Sequence, residues 1–290
     1  MTHESQSRTP VLLWQSRLLL AFVLVSVGLG LLCECILSRV ALPLLCLQAL
    51  GFGVLLAALV WKSRAATPSA ALTGGLYTSV LYLAAPGWRT ALWPLLALLL
   101  LTLGATRFGR ARKESLGLAE PRQGRNDAQV TANLGVAALA AMALRYSQTF
   151  MGPAMLSHQV LRLALAAALA EAAADTLSSE LGEVLGGEPR LLTTLRRVPA
   201  GTDGAISRNG TLAGIIAAII VTGAAAFGLK LTAAQSGMVI LATLAGLFAD
   251  SLLGATLERR GWLNNDAVNF LSTLAAALLA GFAGAICRIS

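Results

Sequence analysis

The sequence predicts an all-α, polytopic membrane protein of about nine transmembrane helices, and three observations predict it. Only 12% of the 290 residues are charged and 56% are hydrophobic, whereas a soluble domain carries about 25% charge. The apolar residues come in unbroken stretches rather than at amphipathic spacing, and runs of roughly 18 or more read as membrane spans. Basic residues also alternate between loops. With the N-terminus in the cytoplasm, only Arg39, Arg89, Arg145, Arg162, Lys230 and Arg288 fall on the far side, and the other 16 of 22 fall inside, as the positive-inside rule asks.

The expected spans are, in order, 18–37, 41–61, 68–85, 92–103, 128–144, 160–174, 212–229, 233–253 and 267–286. The first follows too polar a stretch, and precedes too clear a second span, to be a cleaved leader. The fourth and sixth are short and borrow a turn from their flanks. The fifth and ninth enter through "RNDA" and "NNDA", with Asn126 and Asn265 near the N-caps. The seventh follows directly on Asn209-Gly210. Trp14, Trp61, Trp88, Trp93 and Trp262 all fall at span edges, like an aromatic belt. This reading gives an N-terminal two-helix region, 1–66, and a core, 67–290, whose cytoplasmic loops are 107–127 and 175–210. The C-terminus falls on the opposite side from the N-terminus.

The net charge of +8 reports topology and contact with anionic headgroups. Nucleic acid is not an expected partner, because no basic stretch is interleaved with exposed aromatics. Cys33, Cys35, Cys46 and Cys287 read as small packing residues, and His3 and His158 have no partner at motif distance. A Ser/His/Asp set is therefore absent. Charge at mid-depth is scarce, which disfavours an ion-coupled transporter.

Chemistry concentrates where two spans end. "ADTLSSELGE" begins at Ala174 and "ADSLLGATLE" at Ala249, each closing a long apolar run. Glu171 and Asp175 are four apart and share a helix face, while Glu180 projects about 140° away from Asp175. By the expected topology Asp175 and Asp250 lie at one depth on one membrane face. Carboxylates brought together from separate helices repel unless something positive sits between them. Hard oxygen ligands at a wet surface suit Mg²⁺, which keeps several waters and bridges to phosphates. The two acidic helix ends are expected to converge on such a metal. Between them, "PRLLTTLRRVPAGTDGAISRNG" (189–210) supplies Gly201, Gly204 and Gly210, together with Arg190, Arg196, Arg197 and Arg208. It leads into a helix N-terminus, so it reads either as a phosphate-binding floor or as a flexible loop with topological arginines. No Gly-Lys-[ST] follows, so it is not a Walker A loop. The paired acidic words and paired Asn-Asp-Ala entries fit an internal duplication as well as the sameness of caps and Ala-rich spans.

The stretches "AEAAADTLSSELGEVLGGEPRLLTTLRRVPAGTDGAISRNGTLAG", "RNDAQVTANLGVAA", "DSLLGATLERRGWLNNDAVNFLS" and the weaker "SAALTGGLYTSV" resemble one family over about residues 68–283, in its order and spacing. It is the integral membrane family long catalogued as domain of unknown function 92, which includes transmembrane protein 19 and the chloroplast phytyl-phosphate kinase. The resemblance implies a kinase that phosphorylates an isoprenyl monophosphate (phytyl-, geranylgeranyl- or farnesyl-phosphate) to the diphosphate, with CTP or another nucleoside triphosphate as donor. It also implies distant similarity to polyprenol kinases and membrane cytidylyltransferases. The residues it singles out are Asp175, Thr176, Ser179 and Glu180; Pro199, Gly201, Thr202, Gly204 and Gly210; Asp250, Ser251 and Gly254; and Asn265, Asn269 and Ser272. Asp266 departs from the pattern, where a neutral residue is expected.

The expected site follows. Asp175, Glu180 and Asp250 hold Mg²⁺ and, with Arg208, carry catalysis. Arg190, Gly201, Thr202, Gly204, Gly210, Asn126 and Asn265 bind nucleotide phosphates, and Ser179, Ser251 and Asn269 meet the substrate. A phosphate-monoester acceptor brings its own nucleophile, which would explain the missing histidine. The alternative is a transporter or flippase of lipid phosphates, or a membrane cytidylyltransferase.

Overall fold

A computed structural model describes residues 13–37, 42–149, 158–185 and 187–287. His3, Arg39 and Arg288 lie outside those residues. The described residues form ten α-helices: α1 (Leu13–Leu37), α2 (Leu42–Lys62), α3 (Pro68–Ala84), α4 (Leu92–Arg107), α5 (Arg110–Leu116), α6 (Asp127–Thr149), α7 (His158–Leu185), α8 (Arg208–Leu229), α9 (Ala233–Leu253) and α10 (Asn265–Cys287). Two short strands, β1 (Arg190–Leu191) and β2 (Ala205–Ile206), pair antiparallel between α7 and α8. Every expected apolar span is helical. Among the described residues six helices are long and apolar enough to cross a membrane on their own, or seven if α4 and α5, bent by 61°, count as one span, against the nine expected for the chain. The shortfall lies in α3, with only 17 residues, and in α7, whose 28 residues carry Arg162, Glu171, Asp175 and Glu180.

Local signals set the helix starts. Thr67 caps α3, accepting from the Ala70 amide at 3.3 Å, and Pro68 follows at the first helical position, where its missing N–H is no loss. Thr232 and Gln235 bond reciprocally at the start of α9, so two otherwise orphaned donors are satisfied. α5 lies between Gly109 and Gly117, both left-handed, and is the one helix the apolar pattern does not announce.

α7 is the axis of the bundle and packs on α4, α6, α8, α9 and α10. Leu163 and the run from Leu165 to Ala170 are fully buried, so the helix is apolar all round because it is enclosed all round. α1 packs on α6 and α10, and α2 on α3, leaving Leu18, Phe22, Leu44 and Leu47 exposed as a lipid-facing surface would be. In lipid, helices associate by close packing rather than by expelling water. The α2–α3 crossing shows this, since a Cβ on Gly53 would lie 2.5 Å from the Gly75 carbonyl oxygen.

The loops after α2, α4, α7 and α9 share one end of the bundle with the start of α1. Arg125 donates its amide to the Ala65 carbonyl at 3.0 Å, and Arg107 reaches the Ser63 carbonyl at 3.2 Å. Gln15 donates to the Trp262 carbonyl at 2.9 Å, and Ser16 to Asp266 at 2.6 Å. The departure at Asp266 therefore anchors the first helix. At the opposite end Glu34 pairs with Arg145 at 2.5 Å, a mostly buried ion pair that joins α1 to α6.

Candidate functional site

α7 delivers Glu171 and Asp175 to the face it presents to α9 and α10, and α9 delivers Asp250 to the same place. The Asp175 and Asp250 side chains interact directly, and Asp250 also faces Glu171, Glu258 and Ser272. Glu171 is buried and accepts a hydrogen bond from Thr273 of α10 at 3.0 Å. The three helices close this tightly because Gly246 leaves room; a Cβ there would stand 2.8 Å from Glu171 Cγ and 3.0 Å from the Ser272 carbonyl. Glu171 Oε1 and Asp250 Oδ1 are buried and have no hydrogen-bond partner among the described residues. Two unsatisfied acceptors on mutually repelling acids are costly unless a proton or a cation lies between them. One cation is supplied from outside the helices: Arg125, in the α5–α6 loop, acts on Asp175.

Glu180 goes elsewhere. It accepts from Thr106 at 3.0 Å and forms an ion pair with Lys113, which is almost fully buried. The expected three-carboxylate set of Asp175, Glu180 and Asp250 is therefore not assembled, and among the described residues no group of three or more His, Cys, Asp or Glu converges for a metal. The reason is the helical rotation between Asp175 and Glu180, which turns Glu180 toward α4 and α5. α7 extends about 42 Å against a hydrocarbon core of about 30 Å, so it is longer than a span requires, and its last turns follow the expected span 160–174. There Glu183 is pushed up to about 7 by burial, then by the charge of Glu180.

The Gly/Arg loop lies directly against the end of α9. α9 runs on into a π-helical turn, Gly254–Glu258, a wide turn of the kind often found at functional sites. Gly204, at φ +71°, packs on that turn; a Cβ there would fall 2.0 Å from the Ala255 nitrogen and 2.4 Å from the Ser251 carbonyl oxygen. Glycine at 204 is thus required by backbone contact with α9. Gly201, at φ +80°, abuts the Leu118 side chain, and Gly210 crosses α7 close to the Ser178 carbonyl oxygen, 2.5 Å from where its Cβ would be. Thr202 donates to the Pro199 carbonyl at 2.8 Å within its turn, and Arg190 to the Leu195 carbonyl at 2.9 Å. Ser207 caps α8 by accepting from the Gly210 amide at 3.1 Å, and Arg208, the first residue of that helix, is exposed.

The remaining expected residues scatter around this centre. Ser179 is exposed on α7, and Ser251 bonds back to the Leu247 carbonyl at 3.3 Å. Asn269 is half-buried on α10, and its carbonyl accepts from Ser272 at 3.0 Å. Asn126 is the cap of α6, exchanging 2.9 Å bonds with Gln129. At the second entry the cap is Asn264, which accepts from the Ala267 amide at 2.9 Å, so Asn265 is the first helical residue and is exposed. The two Asn-Asp-Ala words are thus out of register by one residue. Sequence reasoning missed Arg125, Thr273, Lys113 and the Glu34–Arg145 pair. Arg125 was legible as the residue that opens "RNDA", but it read there as one topological arginine among many.

Residues 51–277 match the family described as integral membrane protein DUF92. The chain belongs to that family. It is 36% identical over 206 residues to the uncharacterized membrane protein sll0875 of Synechocystis, covering 69% of this chain and 76% of the relative. It is 32% identical over 179 residues to Protein VTE6, chloroplastic, of Arabidopsis thaliana, covering 61% and 53%. It is 43% identical over 114 residues to the uncharacterized membrane protein MJ0933 of Methanocaldococcus jannaschii, covering 38% and 46%. The chain thus spans about half the length of the last two. No solved structure matches. The DUF92 match contains Arg125, Asp175, Asp250 and the Gly/Arg loop, and it leaves α1 outside.

Proposed function

We propose that this DUF92 protein is a membrane kinase that transfers a phosphoryl group from CTP, or another nucleoside triphosphate, to an isoprenyl monophosphate, giving the diphosphate. The observation that carries the reading is the meeting of Asp175 and Asp250, with buried unpartnered oxygens on Asp250 and Glu171, beneath an arginine-bearing loop. Membership of the family and the motif resemblance to the phytyl-phosphate kinase support the same reading. The residues fit Mg²⁺, because unpartnered carboxylate oxygens on repelling acids are what a hard divalent cation satisfies. Asp175 and Asp250 would hold it, with Glu171 behind them. Glu180 is better assigned to the support of α5 than to the metal. Held there, Mg²⁺ would supply positive charge against the negative charge that develops on the transferred group.

The protein's own residues position the reactants. Arg208, at the exposed N-terminus of α8, presents positive charge to the triphosphate, and Arg125 steers the acceptor phosphate toward Asp175. An oxygen of the acceptor phosphate forms the new bond to the terminal phosphorus as the bond to the nucleoside diphosphate breaks. A phosphate monoester, with a second pKa of about 6, is already an anionic nucleophile near neutral pH, so no histidine base is needed. We place the site on the cytoplasmic face, where the basic loops collect.

Purified protein in detergent, supplied with CTP, Mg²⁺ and phytyl, geranylgeranyl or farnesyl monophosphate, tests this. Diphosphate formation supports the kinase. An absence of nucleotide turnover across the panel, with lipid phosphate moving across reconstituted liposomes, supports the transporter instead.

A further inference from the structure

A cavity of about 470 Å³ opens among α2, α3, α4 and α6, at the end of the bundle that carries the site. Its depth is mostly aliphatic, lined by Leu56, Val60, Leu98, Leu99, Leu103 and Leu134, with Thr102 and Asn133 beside them. Its rim carries Arg64, Arg107, Arg110, Arg122 and Arg125 against Glu114 and Glu120. Five guanidinium groups less two carboxylates leave an excess of three positive charges at the mouth of an apolar shaft. Part of that charge is spent internally: Arg110 pairs with Glu114 at 3.0 Å and donates to the Glu120 carbonyl at 3.1 Å. Arg125 is half-buried, is one of the residues that line the cavity, and its charge also acts on Asp175. Ala172 of α7, one turn before Asp175, forms part of the same wall, and so does Thr106, which bonds Glu180. The cavity and the acidic centre are therefore neighbours that share Arg125 and α7.

We propose that this cavity binds a single-chain lipid monophosphate, with the chain in the aliphatic depth and the phosphate on the arginine rim, delivered by Arg125 to Asp175. The proposal deepens the kinase reading and rests on it for what happens to the phosphate. The volume lies in the range of sites that enclose one small ligand. Guanidinium groups suit phosphate because their planar donors engage two oxygens at once. A nucleotide is a poor occupant, since among the described residues no aromatic side chain lines the cavity to stack a base. A neutral lipid would leave the rim charge unanswered.

The test uses the full chain in lipid nanodiscs without nucleotide, measuring binding of tritiated farnesyl monophosphate. Unlabelled farnesyl monophosphate should compete at least tenfold better than farnesol and better still than inorganic phosphate. Leu99→Trp, which fills the shaft, and Arg125→Gln, which removes the steering charge, should each weaken binding at least tenfold. Arg125→Lys should restore part of the loss, and the melting midpoint of each variant shows that it is folded. Competition by inorganic phosphate equal to that of farnesyl monophosphate, or wild-type binding in both folded variants, overturns the proposal. The two readings also separate. If binding follows the expected pattern but no nucleotide is turned over, the cavity stands and the kinase falls. If phosphate is transferred while the KM for farnesyl monophosphate is unchanged in Leu99→Trp and Arg125→Gln, the kinase stands and the cavity falls.

Discussion

Lys113→Met should destabilise the protein far more than its place on a short basic helix implies. The Lys113 side chain is 1% exposed and its partner Glu180 12%. An ammonium has three donors, and Lys113 directs them to the Ala105 carbonyl at 2.8 Å, the Thr106 carbonyl at 3.4 Å and the Glu180 carboxylate. The two carbonyls belong to the last turn of α4, where they lack helical partners and carry the negative end of the helix dipole. Removing one partner of a buried ion pair costs about 3–5 kcal/mol, because the other charge is left buried and uncompensated. The single substitution should lose that much. The double variant Lys113→Met/Glu180→Gln should lose clearly less than the sum of the single losses, since it strands no charge. Unfolding in mixed micelles with increasing dodecyl sulfate, followed by tryptophan fluorescence, reads both. A loss below about 1 kcal/mol for Lys113→Met, or additive losses in the double variant, would refute the clamp and return Glu180 to the metal.

Other expectations are as direct. Asp175→Asn and Asp250→Asn should each abolish phosphoryl transfer while the melting midpoint stays near wild type, a loss of several kcal/mol in transition-state stabilisation that a rate measurement at limiting Mg²⁺ checks. Gly204→Ala should destabilise through the 2.0 Å approach to the Ala255 nitrogen and the positive φ, whether or not nucleotide is present, and protease susceptibility of the loop reads this. Glu183 has its folded value raised from 4.5 to about 7, so the folded state holds the extra proton and stability falls as pH rises through that window. Glu183→Gln should flatten the decline, which melting midpoints between pH 4.5 and 7 would detect.

The helices were legible because lipid-spanning segments need continuous apolar runs, and all nine such runs are helical. The acidic centre was legible because the repeated Ala-Asp word closes two apolar runs, and alternating traverses bring them to one side; only Asp250 stands near a helix end, however, since α7 runs ten residues past Asp175 to Leu185 and the expected loop 175–210 begins as helix. What escaped depends on partners far apart in the chain. Glu180 meets Lys113 across 67 residues, and Glu34 meets Arg145 across 111. No spacing rule encodes either pair. α5 escaped because its boundaries are two left-handed glycines rather than an apolar period. The loop glycines were visible as flexible points, but the neighbour each one abuts is set by tertiary packing; for Gly204 it is α9. The cavity has walls from several helices and two loops, so no single stretch describes it.

The central claim is that the terminal phosphate of a nucleoside triphosphate moves onto a lipid phosphate at the Asp175–Asp250 centre. Its most direct test follows the label from CTP carrying ³²P at either the γ or the α position, with farnesyl monophosphate and Mg²⁺, in wild type and Asp250→Asn. The account predicts γ label in farnesyl diphosphate, no α label in lipid, and neither in the variant. Label from the α position in the lipid product would mean cytidylyl transfer, and γ transfer that persists undiminished in Asp250→Asn would remove the acidic centre from the chemistry.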